Sequence, residues 1–183
     1  LADNARLTVR LASPPSKTFR PPVRIILDRT LRLASHLETL ALFNTEATQR
    51  RLEAPIWMFC SHLTVSRYPE RVSRLEAAGA IIYTVNTTFE GLCLEEIMAT
   101  LWQNNLTSVW VEAGGSLAAS LVKTSWIDDL YFVISPMIFS DPAAIPAFNN
   151  GLLKRLGDGH RYHLRAAEIM GQDALLTLRA FQH

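Results

Sequence analysis

Cysteine is scarce in this 183-residue chain: Cys60 and Cys93 lie far apart and form no Cys-x-x-Cys or metal-ligand spacing. A disulfide framework and a cysteine zinc site are thereby excluded. Both cysteines sit in apolar stretches, so reduced core thiols in a reducing cytoplasm are the expectation. No apolar run reaches the roughly 18–20 residues that a membrane-spanning helix needs, and no basic-then-apolar leader opens the chain. Charge of one sign is lacking too, since 18 Lys/Arg against 17 Asp/Glu leave a net charge of +1. There is no electrostatic argument for nucleic acid or an anionic membrane as partner. Gly-Lys-Ser/Thr, Gly-x-Gly-x-x-Gly and Gly-x-Ser-x-Gly are all missing, which removes the P-loop, the dinucleotide fingerprint and the hydrolase elbow.

What is present is ordinary for a globular protein, with 49% apolar and 19% charged residues. The length suits one domain spanning residues 1–183, with no internal repeat. Residues 1–11 begin with a turn at Asp3 and Asn4, and then Leu7, Val9 and Leu11 alternate as in a short extended segment. Pro14-Pro15 and Pro21-Pro22 bracket a loop that no helix crosses. Strands are predicted over 23–28, 56–60, 80–85 and 129–136. Residues 28–33 read as a polar exit from the first strand, and helical turns are placed at 46–52. Pro69 opens a helix that Gly79 closes. A second helix, 94–104, carries Leu94, Ile97, Met98 and Leu101 on one face. Residues 162–169 and 174–179 form an antiparallel hairpin. Alternating strands and helices imply right-handed crossovers and a largely parallel sheet, made mixed by that hairpin.

The stretch around which this pattern turns is residues 108–120. Val109, Trp110 and Val111 suggest a buried strand, and a helix to about Thr124 follows Gly114 and Gly115. The glycines permit unusual backbone angles and leave room for a ligand to touch the main chain. Ser116 is a candidate N-cap. Free N–H groups and the positive dipole end at such a helix start favour phosphate. Strand–Gly–helix turns mostly hold no ligand, but Glu112 adds a carboxylate at the strand end, where open α/β sheets bind ligands.

Other constellations have simpler explanations. Asp128 and Asp129 are neighbours on a strand and point to opposite faces, so strand-end solvation accounts for them. His160 and His163 diverge on a strand, and no carboxylate or cysteine completes a metal set. Residues 67–74, with Glu70 among arginines, read as a solvated helix face with local ion pairs. Trp102 and Trp110 are expected in the core.

Several stretches resemble the C-terminal reductase domain of bacterial riboflavin-biosynthesis deaminase-reductases, the RibD type. Residues 1–10, Leu-Ala-Asp-Asn-Ala-Arg-Leu-Thr-Val-Arg, resemble the family's Leu-x-Asp-Asp-Pro-x-Leu-Thr-x-Arg. Residues 23–33 resemble its Arg-Val-Val-Leu-Asp-Ser/Arg-x-Leu-Arg segment. Residues 111–118, Val-Glu-Ala-Gly-Gly-Ser-Leu-Ala, resemble Val-Glu-Gly/Ala-Gly-Pro/Gly-Thr/Ser-Leu-Ala. Residues 128–136 and 171–177 resemble its Val-Asp-Glu-Leu…Ala-Pro and Gly-x-Asp-x-Leu-Leu-Thr segments.

The resemblance implies a dihydrofolate-reductase-like α/β fold, with a mixed, mostly parallel sheet flanked by helices and ending in a hairpin. It implies NADPH as cofactor and reduction of the ribosyl group of 5-amino-6-(5-phosphoribosylamino)uracil to the ribityl chain. By position, Gly114, Gly115, Ser116, Leu117, Ala118, Ala119 and Ser120 would hold the cofactor phosphate. Asp3 would lie at the cofactor and reacting ribose as the catalytic residue. Leu7, Arg10 and Glu112 would hold substrate, with Arg10 suited to its phosphate. Arg29 stands where many relatives have a cofactor-contacting Ser and could meet the 2′-phosphate of NADPH. The family's Asp-Asp-Pro is Asp-Asn-Ala here, and its Pro-Lys-Leu-Leu-Gly becomes Pro-Met-Ile-Phe-Ser over residues 136–140. Relatives also carry a preceding Lys-x-Ala-x-Ser-Leu-Asp-Gly strand, a Gly-Thr-Val turn and a zinc deaminase. The expectation is therefore a reductase-domain fragment without deaminase activity, associating as a homodimer through the edges such a lost strand exposes. Two alternatives stand beside it: a non-catalytic association module, and a same-fold reductase with another small substrate.

Overall fold

The computed structural model describes residues 4, 6–7, 21–43, 55–149 and 159–181. The predicted helical turns at 46–52, and residues Asp3 and Arg10, lie outside them. The chain divides into two units, Leu1–Ser108 and Val109–His183.

The first unit is built on β1 (Arg24–Leu27), β2 (Ile56–Ser61) and β3 (Ala80–Val85), which pair in parallel in the order β1-β2-β3. All six residues of the central strand β2 are buried. Its period-two alternation sends Ile56, Met58 and Cys60 into one cluster with Leu31, Ala34, Leu42, Leu75 and Ala80. Trp57 and Phe59 go to the other, with Val85, Ile97 and Leu101. A strand covered on both faces needs no polar positions, which is why residues 56–60 read as one apolar run. Burying a side chain such as Phe59 stabilises the unit by roughly 1.5–3 kcal/mol.

Between β2 and β3 run two helices, α1 (His62–Arg67) and α2 (Pro69–Ala77). Helix α1 is absent from the sequence reading; Ser61 caps it by accepting the Thr64 N–H at 3.3 Å. Pro69 opens α2, Leu75 is its buried anchor, and Gly79 ends it with φ +90°. After β3, the short hairpin β4 (Thr87–Thr88) and β5 (Gly91–Leu92) leads to α3 (Leu94–Gln103). Ile97 and Leu101 are the buried residues of α3, whereas Met98, expected on the same face, is 37% exposed. The exit from β1 is less polar than expected. Leu31 is fully buried at φ 53°, and a single 3-10 turn (Arg32–Ser35) follows it.

The second unit holds α4 (Gly115–Lys123), β6 (Asp129–Ile134), β7 (Tyr162–Met170) and β8 (Asp173–Ala180). The predicted C-terminal hairpin is β7–β8, turning at Gly171 with φ +65°. Strand β6 does not join a parallel ladder. It pairs antiparallel with β8, giving the order β6-β8-β7. Among the described residues the parallel pairing is thus confined to three strands.

Two expectations fail here. Residues 108–113 belong to no strand ladder among the described residues, and Val109, Trp110 and Val111 are 41%, 70% and 48% exposed. β-rich composition fits a pleated, covered surface but does not supply a partner strand. Trp102 is likewise 70% exposed, on the solvent side of α3. Neither Trp102 nor Trp110 is a core residue.

Candidate functional site

The start of α4 is the best-built part of the second unit. Its N-cap is Gly114 rather than Ser116, and no side chain caps it. Gly114 has extended backbone angles (φ −69°, ψ 163°), and its carbonyl accepts the Ala118 N–H at 3.0 Å. The expected cap at Ser116 fails because that residue already lies inside the first turn. An α-helix leaves its first N–H groups without intrahelical partners. Here those of Gly115, Ser116 and Leu117 are in that position, with the positive dipole end behind them.

The two glycines have different reasons for lacking a side chain. A Cβ on Gly114 would meet nothing within 4 Å. One on Gly115 would sit 2.5 Å from the Pro146 carbonyl oxygen and 3.3 Å from both the Ala147 oxygen and the Asn149 nitrogen. The room at Gly115, expected for a ligand, is thus taken by the chain's own 146–149 segment. Asn149 N–H donates to the Gly115 carbonyl at 3.0 Å, while Phe148 packs edge-on against Phe132 of β6 at 5.6 Å. This segment ties the helix start to the sheet and leaves the Gly114 side open.

Glu112 precedes that turn and is exposed. Its Oε1 accepts the Trp110 indole N–H at 3.3 Å, and the Trp110 ring lies 5.2 Å from that of Tyr131 on β6. Glu112 and residues 114–120 therefore form one continuous group within this unit. Of that group only Ala119 is buried.

Arg29 and Leu7 belong to the first unit. Arg29 is exposed just beyond the C-terminal end of β1. Its carbonyl accepts from Ser61 N–H at 3.2 Å and from Thr64 Oγ1 at 2.7 Å. Leu7, at φ 52°, is half-buried and packs against the Met58 cluster. Of the predicted turn only Asn4 is among the described residues, and it has φ 46°. Its carboxamide donates to the Thr39 carbonyl and accepts from Ala41 N–H. Buried Asp28 accepts the Leu33 N–H at 2.9 Å and so organises the 3-10 turn.

Sequence reasoning missed a cluster of three residues that reaches the Thr30 carbonyl. Arg71 donates to the Thr30 carbonyl at 2.7 Å and lies over the Tyr68 ring, 4.0 Å from its centroid. Arg67 lies over the same ring at 5.5 Å. The i, i+4 spacing of Arg67 and Arg71 around Tyr68 is the signal in the sequence for these contacts, where the charge of the run alone suggests a solvated face. The ion pair found in that run joins Arg74 to Glu38 at 3.8 Å rather than to Glu70.

The remaining constellations are structural. Asp129 faces Arg179 across the β6–β8 ladder and forms an ion pair with it. His163 stacks on Phe181 at 3.7 Å. Among the described residues no group of three His, Cys, Asp or Glu could hold a metal ion. No helix among them is long and apolar enough to cross a membrane. Both cysteines are free, Cys60 buried and Cys93 half-buried.

A parallel αβ unit and an antiparallel sheet ending in a hairpin, with an uncapped glycine helix start after a carboxylate, define a mixed α/β protein. The family model for the RibD C-terminal domain matches residues 1–176, and the chain belongs to that family. It is 28% identical over 176 residues to the riboflavin biosynthesis protein RibD of Bacillus amyloliquefaciens, covering 96% of this chain and 43% of that protein. It is 29% identical over 187 residues to RibD of Haemophilus influenzae, covering 97% and 44%. The chain thus spans less than half the length of the curated relatives it matches. Among solved structures, Acinetobacter baumannii RibD superposes with a TM-score of 0.72 at 22% identity, covering 99% of this chain and 44% of that one. A Thermotoga maritima diaminohydroxyphosphoribosylaminopyrimidine deaminase/5-amino-6-(5-phosphoribosylamino)uracil reductase gives 0.66 at 21% identity, covering 98% and 42%. The fold is that of RibD reductase domains, α/β and dihydrofolate-reductase-like.

Proposed function

We propose that the chain is the reductase part of a RibD-type protein, its two units acting as one domain. It would take NADPH and reduce the ribosyl group of 5-amino-6-(5-phosphoribosylamino)uracil. One observation carries this reading: in a chain of this family, an uncapped helix start with an open Gly114 directly follows Glu112.

The residues present fit a dinucleotide. A diphosphate would be held by the N–H groups of Gly115, Ser116 and Leu117, with Ala118, Ala119 and Ser120 continuing the small-residue turn. When bound, NADPH supplies the hydride that turns a ribosylamine into a ribitylamine, and it leaves as NADP+. Arg29 would contact the cofactor. Leu7 and Arg10 would hold the substrate, Arg10 by pairing with its phosphate. Glu112 would accept hydrogen bonds from the heterocycle, oriented beforehand by the Trp110 N–H. Asp3 would lie at the reacting ribose and hand on the proton that accompanies reduction. Catalysis on this account is largely positioning. A cytoplasmic location suits the free thiols, and a homodimer suits the apolar surface of the second unit, where Ile138 and Ile169 are 91% and 81% exposed.

Steady-state kinetics with the aminouracil substrate tests the proposal. Glu112→Gln should raise the substrate KM by about tenfold or more while changing that for NADPH little, because a neutral amide accepts hydrogen bonds less strongly than a carboxylate. An equal loss of both would remove Glu112 from its assigned role.

A further inference from the structure

We propose that Trp110 and Tyr131 are positioning residues for Glu112. Tyr131 of β6 braces the Trp110 ring, and the Trp110 indole N–H fixes one carboxylate oxygen so that the other is presented to the N–H edge of a flat heterocycle. This rests on the substrate role given to Glu112 above and adds the residues that aim its carboxylate.

All three side chains belong to the second unit. Residues 109–113 have no ladder among the described residues, so no strand partner sets the direction of their side chains. Two contacts do. The Trp110 ring lies 5.2 Å from that of Tyr131 and is tilted by 41° to it, within the range of aromatic pairing. Tyr131 is itself held in the ladder of β6, opposite Thr177 of β8. The Trp110 Nε1–H in turn donates to Glu112 Oε1 at 3.3 Å. Trp110 is 70% exposed, so core packing does not account for its place here.

An indole N–H is a neutral donor. It directs the carboxylate without cancelling its charge, as a bidentate arginine would. Among the described residues no cation pairs with Glu112, and no donor reaches its second oxygen. An ionised carboxylate accepts about four hydrogen bonds, so most of that capacity is left for a ligand. Imide N–H and exocyclic amino groups on the edge of a pyrimidine are the matching donors. A glutamate that rotated freely would have to be ordered by each substrate molecule, and one held beforehand spares that cost.

Steady-state kinetics with the aminouracil and NADPH tests this on the parent chain, Trp110→Phe, Tyr131→Leu, Tyr131→Phe, Glu112→Ala and the double variant Trp110→Phe/Glu112→Ala. Trp110→Phe keeps a ring and removes the donor, whereas Tyr131→Leu removes the brace. Each should raise the aminouracil KM about threefold to tenfold and leave kcat and the NADPH KM within about twofold. Tyr131→Phe restores the ring contact and should recover the KM lost in Tyr131→Leu. In the Glu112→Ala background Trp110→Phe should add nothing, because no carboxylate is left to direct. A merely structural role would instead raise both KM values and add to the loss in Glu112→Ala. A parent-like aminouracil KM in Trp110→Phe, or losses that add in the double variant, would overturn the inference and leave Glu112 as a substrate ligand. No turnover by the parent chain, or a Glu112→Ala variant with the parent's KM, would overturn the substrate role of Glu112 as well.

Discussion

At the residue scale, Gly114 and Gly115 differ in what surrounds them, open space at the first and the chain's own backbone at the second. A methyl group on Gly115 would press against backbone at 2.5 Å, which no side-chain rotation relieves. Gly115→Ala should therefore destabilise the protein by about 1–3 kcal/mol in urea unfolding, the usual cost of overpacking. Gly114→Ser puts a hydroxyl at an empty N-cap, and stability should hold or rise by a few tenths of a kcal/mol. Cys60 makes a second residue-level test. Burial first, and the Asp28 charge second, push its thiol up to about 11 from 9.0. The folded state then keeps a proton that the unfolded state sheds between these values. Its contribution is fully present below pH 9 and is lost as pH rises through 11, on the order of 2 kcal/mol. Cys60→Ala, less stable at neutral pH because of the cavity it leaves, should show a flatter fall of stability over that window. The Trp57 indole N–H is buried with no acceptor among the described residues, so Trp57→Phe should cost under about 1 kcal/mol despite its central position.

At the scale of elements, one carboxylate of α3 holds the residue that precedes the β4–β5 hairpin. Glu96 accepts the Asn86 N–H at 2.8 Å and its Nδ2 at 2.7 Å, and these bonds hold its pKa below the usual carboxylate range. Glu96→Ala should speed amide exchange at Asn86 and at Cys93, whose N–H bonds the Asn86 carbonyl. Because the folded-state pKa is lowered, this protection is present above the ordinary carboxylate pKa and fades as pH falls through the folded value. Exchange at both amides unaltered by the substitution would contradict this. Elements whose signal is local were legible in the chain. The apolar run of β2, the Pro69…Gly79 punctuation of α2 and the β7–β8 turn at Gly171 each state their own boundaries. Elements that depend on a distant partner were not. Residues 109–111 have strand composition but no ladder among the described residues, and β6 gained its antiparallel neighbour from residues 40 to 50 positions on. Part of the candidate site was legible on the same terms. Glu112 and the glycine turn are contiguous in sequence, so their grouping could be read directly. The filling of Gly115's space by residues 146–149 and the reach of Arg71 to the Thr30 carbonyl are made by folding alone.

For the molecule as a whole, two consequences can be measured. The apolar surface of the second unit, including Val133, Ile138, Phe139 and Ile169, exceeds what isolated exposed residues explain. Sedimentation should show a mass that rises with concentration toward a dimer, and a monomer throughout would count against the proposed association. The central claim is that a diphosphate rests on the bare N–H groups that begin α4. Its most direct test is a calorimetric titration of NADPH into the chain and into Gly114→Ser, whose hydroxyl competes for those same donors. The account predicts saturable one-to-one binding, weakened about tenfold in the variant with no loss of thermal stability. No saturable binding, or equal affinity in both proteins, would contradict it.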